Sequence, residues 1–291
     1  ICLTVILSPL TKIVSAEDIT NAVPITENIY HTPAKAAIAV DNESGKILYA
    51  QNADESLGVA SITKIITAYL TLDTIKKGRL NWDDQLEMSD YAYNLTQDSA
   101  ASNIAVMDRN ETFSVSDLFN AMMIQSANSA AITLAEKIAG SEPKFVDLMK
   151  TQLAYWGIPD AKIVNASGLN NSMLGENIYP GSTQTDENLL SAKDVAIIAQ
   201  RLIADFPEVL DITKKATETF AAGKASEQTL ATYNYMLPTL PVARDGIDGL
   251  KTGTTELAGA CFVATTTQND FRIITVVLDA DNADTDEYAR F

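Results

Sequence analysis

Histidine is almost missing from this sequence: His31 is the only one in 291 residues. A Ser-His-Asp triad would have to use it, and it lies in a short polar stretch near the start. One His cannot make an H-E-x-x-H motif, and a His-rich zinc site is excluded. Cysteine is nearly as scarce, with only Cys2 and Cys261. Cys2 falls in the segment read below as a signal remnant, which leaves no disulfide framework and no C-x-x-C redox pair. Cations are few: 21 Lys and Arg against 38 Asp and Glu give a formal charge of −17. There is no excess of cation to neutralise phosphates, which excludes nucleic acid as a partner, and no basic patch for anionic lipid. Beyond residue 16, no apolar run reaches the ~18 residues of a membrane span. An enzyme with this composition takes its base from Lys, Asp or Glu.

What is present is a globular chain. Hydrophobic residues make up 46%, enough to bury a core at this length. The chain begins with Ile rather than Met. Ile1 to Leu10 is apolar, the length of a signal-peptide core, and Val14-Ser15-Ala16 places small residues where a signal peptidase cuts. Residues 1–16 are read as the remnant of a secretory signal, with a buried strand as the competing reading. Residues 17–291 are then one folded unit of charge −18, since Lys12 leaves with the signal. Asp281 to Arg290 is polar and reads as the start of a helix, with no Gly or Pro to close it.

Strand-type runs occupy both ends. Lys35 to Val40 and Lys46 to Gln51 are joined by Asn42-Glu43-Ser44-Gly45 and read as a hairpin. Leu250 to Thr255, Ala260 to Thr267 and Phe271 to Leu278 are three more candidates. The middle is helical. Ile62 to Lys77 carries Ile62, Ile65, Ile66, Tyr69 and Leu70 at helical spacing and ends at Gly78. Runs after Ser114, from Ser129 to Ile138, from Ser141 to Trp156 and from Ser191 to Ala204 give four more helices. The expected fold is α+β: one antiparallel sheet built from both termini, flanked by helices, with a helical subdomain inserted. Asn165 to Glu187, rich in Asn, Ser and Gly, reads as a long loop of the kind that often carries function.

With His scarce, nucleophiles paired with Lys are the candidates to look for. Ser61-Ile62-Thr63-Lys64 and Ser141-Glu142-Pro143-Lys144 both have i, i+3 spacing. Ser141 follows Gly140 and precedes Pro143, so it reads as a helix N-cap. Ser61 heads an apolar helix, where Lys64 lies on the same face one turn on; its plain reading is also a cap. Ser126-Ala127-Asn128 is the only Ser-x-Asn, at a break between helices, and Lys251-Thr252-Gly253 is the only Lys-Thr-Gly, on a strand. Separately these are a cap, a turn residue and a solvated charge. Together and in this order they form the triple signature of penicillin-recognising serine acyl enzymes.

The sequence resembles the low-molecular-mass penicillin-binding proteins, the serine-type D-alanyl-D-alanine carboxypeptidases, over about residues 35–291. Ala60-Ser61-Ile62-Thr63-Lys64 with Thr67-Ala68-Tyr69-Leu70 looks like their nucleophile helix. Asp248 to Thr255, then Ala258-Gly259, looks like their K-T-G strand and turn. Gly168-Leu169 and Ser191-Ala192-Lys193-Asp194 resemble a further family pattern. Members usually continue into a small β-rich domain and a C-terminal amphipathic anchor, so the resemblance implies that this sequence is truncated at its C-terminus, ahead of both. Attachment to a membrane would run only through such a segment.

The resemblance implies a serine β-lactamase/transpeptidase-like fold, a secreted enzyme of the bacterial cell envelope, and no metal or cofactor. It implies peptidoglycan stem peptides ending in D-Ala-D-Ala as substrate and β-lactams as acylating mimics. Ser61 would attack the carbonyl between the two D-Ala residues, Lys64 would take its proton, and Ser126 would pass a proton to the leaving amine. Asn128 would orient Lys64 and bind the substrate amide. The backbone N–H groups of Ser61 and Thr254 would form the oxyanion hole, and Lys251, Thr252, Gly253 and Thr254 would hold the terminal carboxylate. Arg290 matches a family arginine that helps hold that carboxylate. Three rivals stand beside this reading: a class A β-lactamase, whose Glu-x-x-Leu-Asn pattern is absent here; a non-catalytic wall-binding or β-lactam-sensing module; and a transpeptidase.

Overall fold

The strand-type runs at the two ends of the chain pair into one sheet. The computed structural model describes residues 30–101, 103–283, 286 and 288–291. The signal remnant at 1–16, with Cys2, lies outside the described residues. Strands β1 (Ala34–Asp41) and β2 (Ile47–Gln51) form the expected hairpin. Short β3 (Leu57–Gly58), β4 (Gln85–Glu87), β5 (Thr112–Ser114), β6 (Leu189–Leu190), β7 (Thr217–Phe220) and β8 (Gln228–Ala231) pair as three two-stranded ribbons, β3 with β6, β4 with β5 and β7 with β8. The long strands β9 (Ile247–Thr255), β10 (Gly259–Gln268) and β11 (Phe271–Ala280) complete a five-stranded sheet of order β2-β1-β11-β10-β9. Its named pairs are all antiparallel, and β1 joins the C-terminal strands through Ala34 opposite Ala280 and Asp41 opposite Ile273. On β11 the fully buried Ile274, Val276 and Leu278 alternate with partly exposed neighbours, so one face of the strand supplies the core.

Between β2 and β9 lie seven α-helices among the described residues. They are α1 (Lys64–Lys76), α2 (Asp90–Thr96), α3 (Val115–Ile124), α4 (Asn128–Ala139), α5 (Glu142–Tyr155), α6 (Ala192–Asp205) and α7 (Val209–Thr213). Local chemistry sets the ends of several. Ser114 and Ser141 accept from backbone N–H groups three residues on. Ser191 and Asp194 form a reciprocal capping box. Gly140 closes α4 at φ +82°. Helix α1 is buried on every side from Lys64 to Leu72 rather than along one stripe, and it packs against α3, α4, α5 and α6. It is a central buried helix, with α6 lying between it and the sheet faces of β1 and β11.

The expected α+β architecture is present. Two helices and three ribbons went unread, because α2, α7 and the ribbon strands are each seven residues or fewer and too short to establish a period. Among the described residues of the stretch from Asp281 to Arg290, the expected start of a helix is not found. The described residues there form turns closed by Asp286 N–H to Asn282 O and Ala289 N–H to Asp286 O.

Candidate active site

Ser61 sits inside a 3₁₀ turn, Ala60–Thr63, that runs directly into α1. Its side chain caps neither element, so the plain reading of this serine as an N-cap does not hold. Two glycines press on this turn. A Cβ on Gly168, at φ +84°, would stand 1.9 Å from Ala60 O. A Cβ on Gly253 would stand 2.7 Å from Val59 O and 3.1 Å from the Ser61 nitrogen. Only Gly lets β9 lie this close, which is the physical reason for the glycine of Lys-Thr-Gly.

The lysine of Ser-x-x-Lys is fully buried. Its Nζ lies 2.8 Å from Ser61 Oγ, 2.6 Å from Asn128 Oδ1 and 2.6 Å from Ser167 O. Burial first, then the charge of Lys251, holds the Lys64 amine well below its ordinary range. A neutral amine has two N–H groups and one lone pair. Asn128 and Ser167 offer only acceptors to it, so the two N–H groups go there and the lone pair is left for the Ser61 hydroxyl proton. Asn128 is fixed in turn by donating from Nδ2 to Ala101 O at 2.8 Å.

A cleft of about 260 Å³ opens beside this pair. Ser61, Ser126, Thr252, Gly253, Thr254 and Arg290 line it, joined by Asn103, Tyr233, Tyr235 and Phe291. Ser126 sits at the break between α3 and α4 with φ +62°. Its carbonyl accepts from Asn103 Nδ2 at 3.1 Å. Lys251 lies on β9 and is 2% exposed. Its Nζ donates to Thr252 O at 2.9 Å. Burial and the charge of Arg290 push its amine down to about 7. Arg290 donates to Gly253 O at 2.9 Å and to Thr254 Oγ1 at 2.6 Å. Of the residues expected from the sequence, Ser61, Ser126, Thr252, Gly253, Thr254 and Arg290 line the cleft, Lys64 and Asn128 stand in hydrogen-bonded contact behind Ser61, and Lys251 is buried on β9.

Other residues carried no signal of their own. Asn103, Tyr233 and Tyr235 belong to no motif, and distant backbone brings them to the cleft. Tyr235 packs on Tyr288 and Phe291, ring centroids 5.6 and 5.8 Å apart, which seats the turn bearing Arg290. Ser167, whose carbonyl binds Lys64, lies in the Asn-rich loop singled out in the sequence. No carboxylate is among the described residues lining the cleft, and neither Glu176 nor Glu187 reaches it. His31 is exposed ahead of β1 and is not a lining residue. Cys261, opposite Gly253 on β10, is free and buried. Burial pushes its thiol up to about 12. No group of three His, Cys, Asp or Glu among the described residues could hold a metal ion.

Burying these lysines has a measurable cost. Lys251 has a folded pKa of about 7 against 10.5 for the free side chain. Between those values the unfolded chain holds a proton that the folded chain does not, so wild-type stability rises with pH through that window. From pH 7 to 9 the rise is about 2–3 kcal/mol at 1.36 kcal/mol per unit. Lys251→Met lacks it. Its melting temperature is therefore expected to exceed that of the wild type by several degrees more at pH 6 than at pH 9. A gap of equal size at both pH values would contradict a depressed Lys251.

Both the sequence and the fold are similar to those of known proteins. The D-alanyl-D-alanine carboxypeptidase family profile matches residues 22–282. The D-alanyl-D-alanine carboxypeptidase DacC of Escherichia coli K12 is 33% identical over 248 residues, 85% of this chain and 56% of that protein. DacF of Bacillus subtilis is 28% identical over 85% of this chain and 57% of its own length. The chain thus spans a little over half the length of these curated relatives. Among solved structures, a peptidoglycan synthesis regulatory factor (PBP3) from Streptococcus pneumoniae superposes with a TM-score of 0.85 at 52% identity, covering 90% of this chain and 71% of that one. Penicillin-binding protein D2 from Listeria monocytogenes, in an ampicillin-bound form, gives 0.73 at 32% identity, covering 89% and 94%. With a profile match over most of its length and this fold around the three motifs, the chain belongs to the D-alanyl-D-alanine carboxypeptidase family, peptidase S11.

Proposed function

We propose that this chain is the catalytic unit of a serine D-Ala-D-Ala carboxypeptidase. It removes the terminal D-Ala from peptidoglycan stem peptides outside the cytoplasm through an acyl-Ser61 intermediate, and β-lactams acylate it. The observation that carries the reading is the Lys64 amine, buried, lowered in pKa and 2.8 Å from Ser61 Oγ. The cleft supports the substrate class. The Arg290 guanidinium lines it beside Thr252 and Thr254, with Lys251 buried next to Thr252 on β9, which suits a terminal carboxylate.

Ser61 attacks the carbonyl between the D-Ala residues as its proton moves to Lys64. The backbone N–H groups of Ser61 and Thr254 receive the oxyanion, a contribution of about 2.7–4 kcal/mol for one donor. Ser126 carries a proton to the leaving D-Ala amine, and Asn128 keeps Lys64 aimed and meets the substrate amide. Water then hydrolyses the ester. A β-lactam follows the same first step, but its leaving group stays tethered and the adduct hydrolyses slowly.

The test is an intact-mass time course with benzylpenicillin, followed by an assay of D-Ala release from a stem peptide. A long-lived adduct with D-Ala release is the expected result. Rapid loss of the adduct with consumption of the drug would make the protein a β-lactamase. A folded protein that forms no adduct would be a binding module, and transfer of the acyl group to an added amine would make it a transpeptidase.

A further inference from the structure

Glu142 is a buried carboxylate with no cation paired to it among the described residues. It is 4% exposed at the start of α5, and its hydrogen-bond partners are the N–H of Ala166, to Oε1 at 2.8 Å, and the hydroxyl of Tyr91, to Oε2 at 3.0 Å. The carboxylate of Glu136 also faces it. A buried acid is costly to keep unless something depends on it. The helix end does not, because Ser141 already occupies the N-cap position of α5.

What depends on it is the loop under Lys64. The Ala166 peptide group is held on two sides, its N–H by Glu142 and its C=O by Thr67 Oγ1 at 2.7 Å. Thr67 lies one turn beyond Lys64 on α1. The next carbonyl along the loop, Ser167 O, is the one that accepts from Lys64 Nζ at 2.6 Å. Within the loop, Asn165 Oδ1 accepts from Gly168 N–H at 2.6 Å and closes the turn, but it does not tie that turn to the helices. Asn188 Nδ2 links Asn165 O to Thr63 Oγ1 at 3.0 and 2.9 Å, but at the Ala166 peptide, next to Ser167, the ties to the helices are Glu142 and Thr67.

We propose that Glu142 is a positioning residue for the catalytic lysine: by fixing the Ala166 peptide it holds Ser167 O where it occupies one Lys64 N–H and leaves the amine lone pair on Ser61. This role rests on the carboxypeptidase reading above. Glu142 touches neither the substrate nor Ser61. Its contact with Ala166 needs an acceptor oxygen rather than a charge, so a glutamine can replace it.

The experiment measures acylation of the full chain by benzylpenicillin in stopped flow, separating the saturating rate constant from the binding constant. Misplacing a reacting group by about 1 Å costs up to about 100-fold in rate. Glu142→Ala is therefore expected to lower the saturating rate about 10- to 100-fold while binding changes by less than about two-fold. Glu142→Gln is expected to restore the rate to within about three-fold of wild type. Thr67→Val releases the other side of the same peptide, and it is expected to lower the rate about 3- to 10-fold with binding unchanged.

A folded Glu142→Ala that acylates at the wild-type rate overturns the proposal, as does one that loses rate and binding by the same factor. If Glu142→Ala does not fold, Thr67→Val decides: an unchanged rate overturns the proposal. An inert wild type overturns the carboxypeptidase reading and this role together, whereas an active wild type with indifferent variants overturns this role alone.

Discussion

Ser61→Ala is expected to form no covalent adduct with benzylpenicillin and to release no D-Ala above the uncatalysed rate, while keeping its fold. The loss should be total because the acyl-enzyme route needs an oxygen at this one position. Ser126 also lines the cleft, but Lys64 Nζ contacts Ser61 Oγ and no contact places it on Ser126. The fold should survive for equally local reasons. Ser61 is partly exposed, it caps no helix, and its turn is set by the close packing of Gly168 and Gly253. Losing the hydroxyl removes one of the three contacts of Lys64 and leaves the two to Asn128 and Ser167. The check is an intact-mass spectrum after prolonged exposure to the drug, with a thermal melt alongside. A drug-sized mass increase on the folded variant would place the nucleophile elsewhere.

Much of this site was legible in the sequence because its chemistry is written in short local patterns. Ser61 and Lys64 are one helical turn apart, and Ser126 and Asn128 straddle a helix break. Lys251, Thr252 and Gly253 are consecutive on a strand. The sheet was legible too, since strand runs at both ends with helices between leave few other arrangements. What stayed hidden depends on tertiary contact. Glu142 lies in a Ser-x-x-Lys stretch whose plain reading as a helix start is right for Ser141, and nothing local shows that the next residue reaches Ala166. Ser167 serves through its backbone carbonyl, for which no side-chain pattern exists. Tyr233, Tyr235 and Asn103 converge on the cleft from separate segments. The polar run at Asp281 to Arg290 misled for a related reason: its composition suits a helix, but Tyr288 and Phe291 pack on Tyr235 and the described chain turns instead.

Lys64→Ala is expected to slow acylation by at least 10³-fold, close to the effect of removing Ser61 itself. General-base assistance alone is typically worth about 10²–10⁴-fold, and groups that act as a unit fail together. The geometry also says which property of the lysine matters. If the requirement were only positive charge in the cleft, Lys64→Arg would retain most of the rate. But Asn128 Oδ1 and Ser167 O take up two N–H groups, and the useful feature is the third site, a lone pair that exists only after the amine gives up its proton. A guanidinium keeps its proton at all accessible pH values, so Lys64→Arg is expected to be as slow as Lys64→Ala. The wild-type rate should rise with pH as the lowered Lys64 amine deprotonates, with the neighbouring charge of Lys251 helping to set that pKa. Both variants should show no such rise. Acylation rates across pH 5 to 9 check this directly. A Lys64→Arg variant that kept the wild-type rate and pH dependence would mean that the lysine acts as a fixed charge, and that another group takes the proton from Ser61.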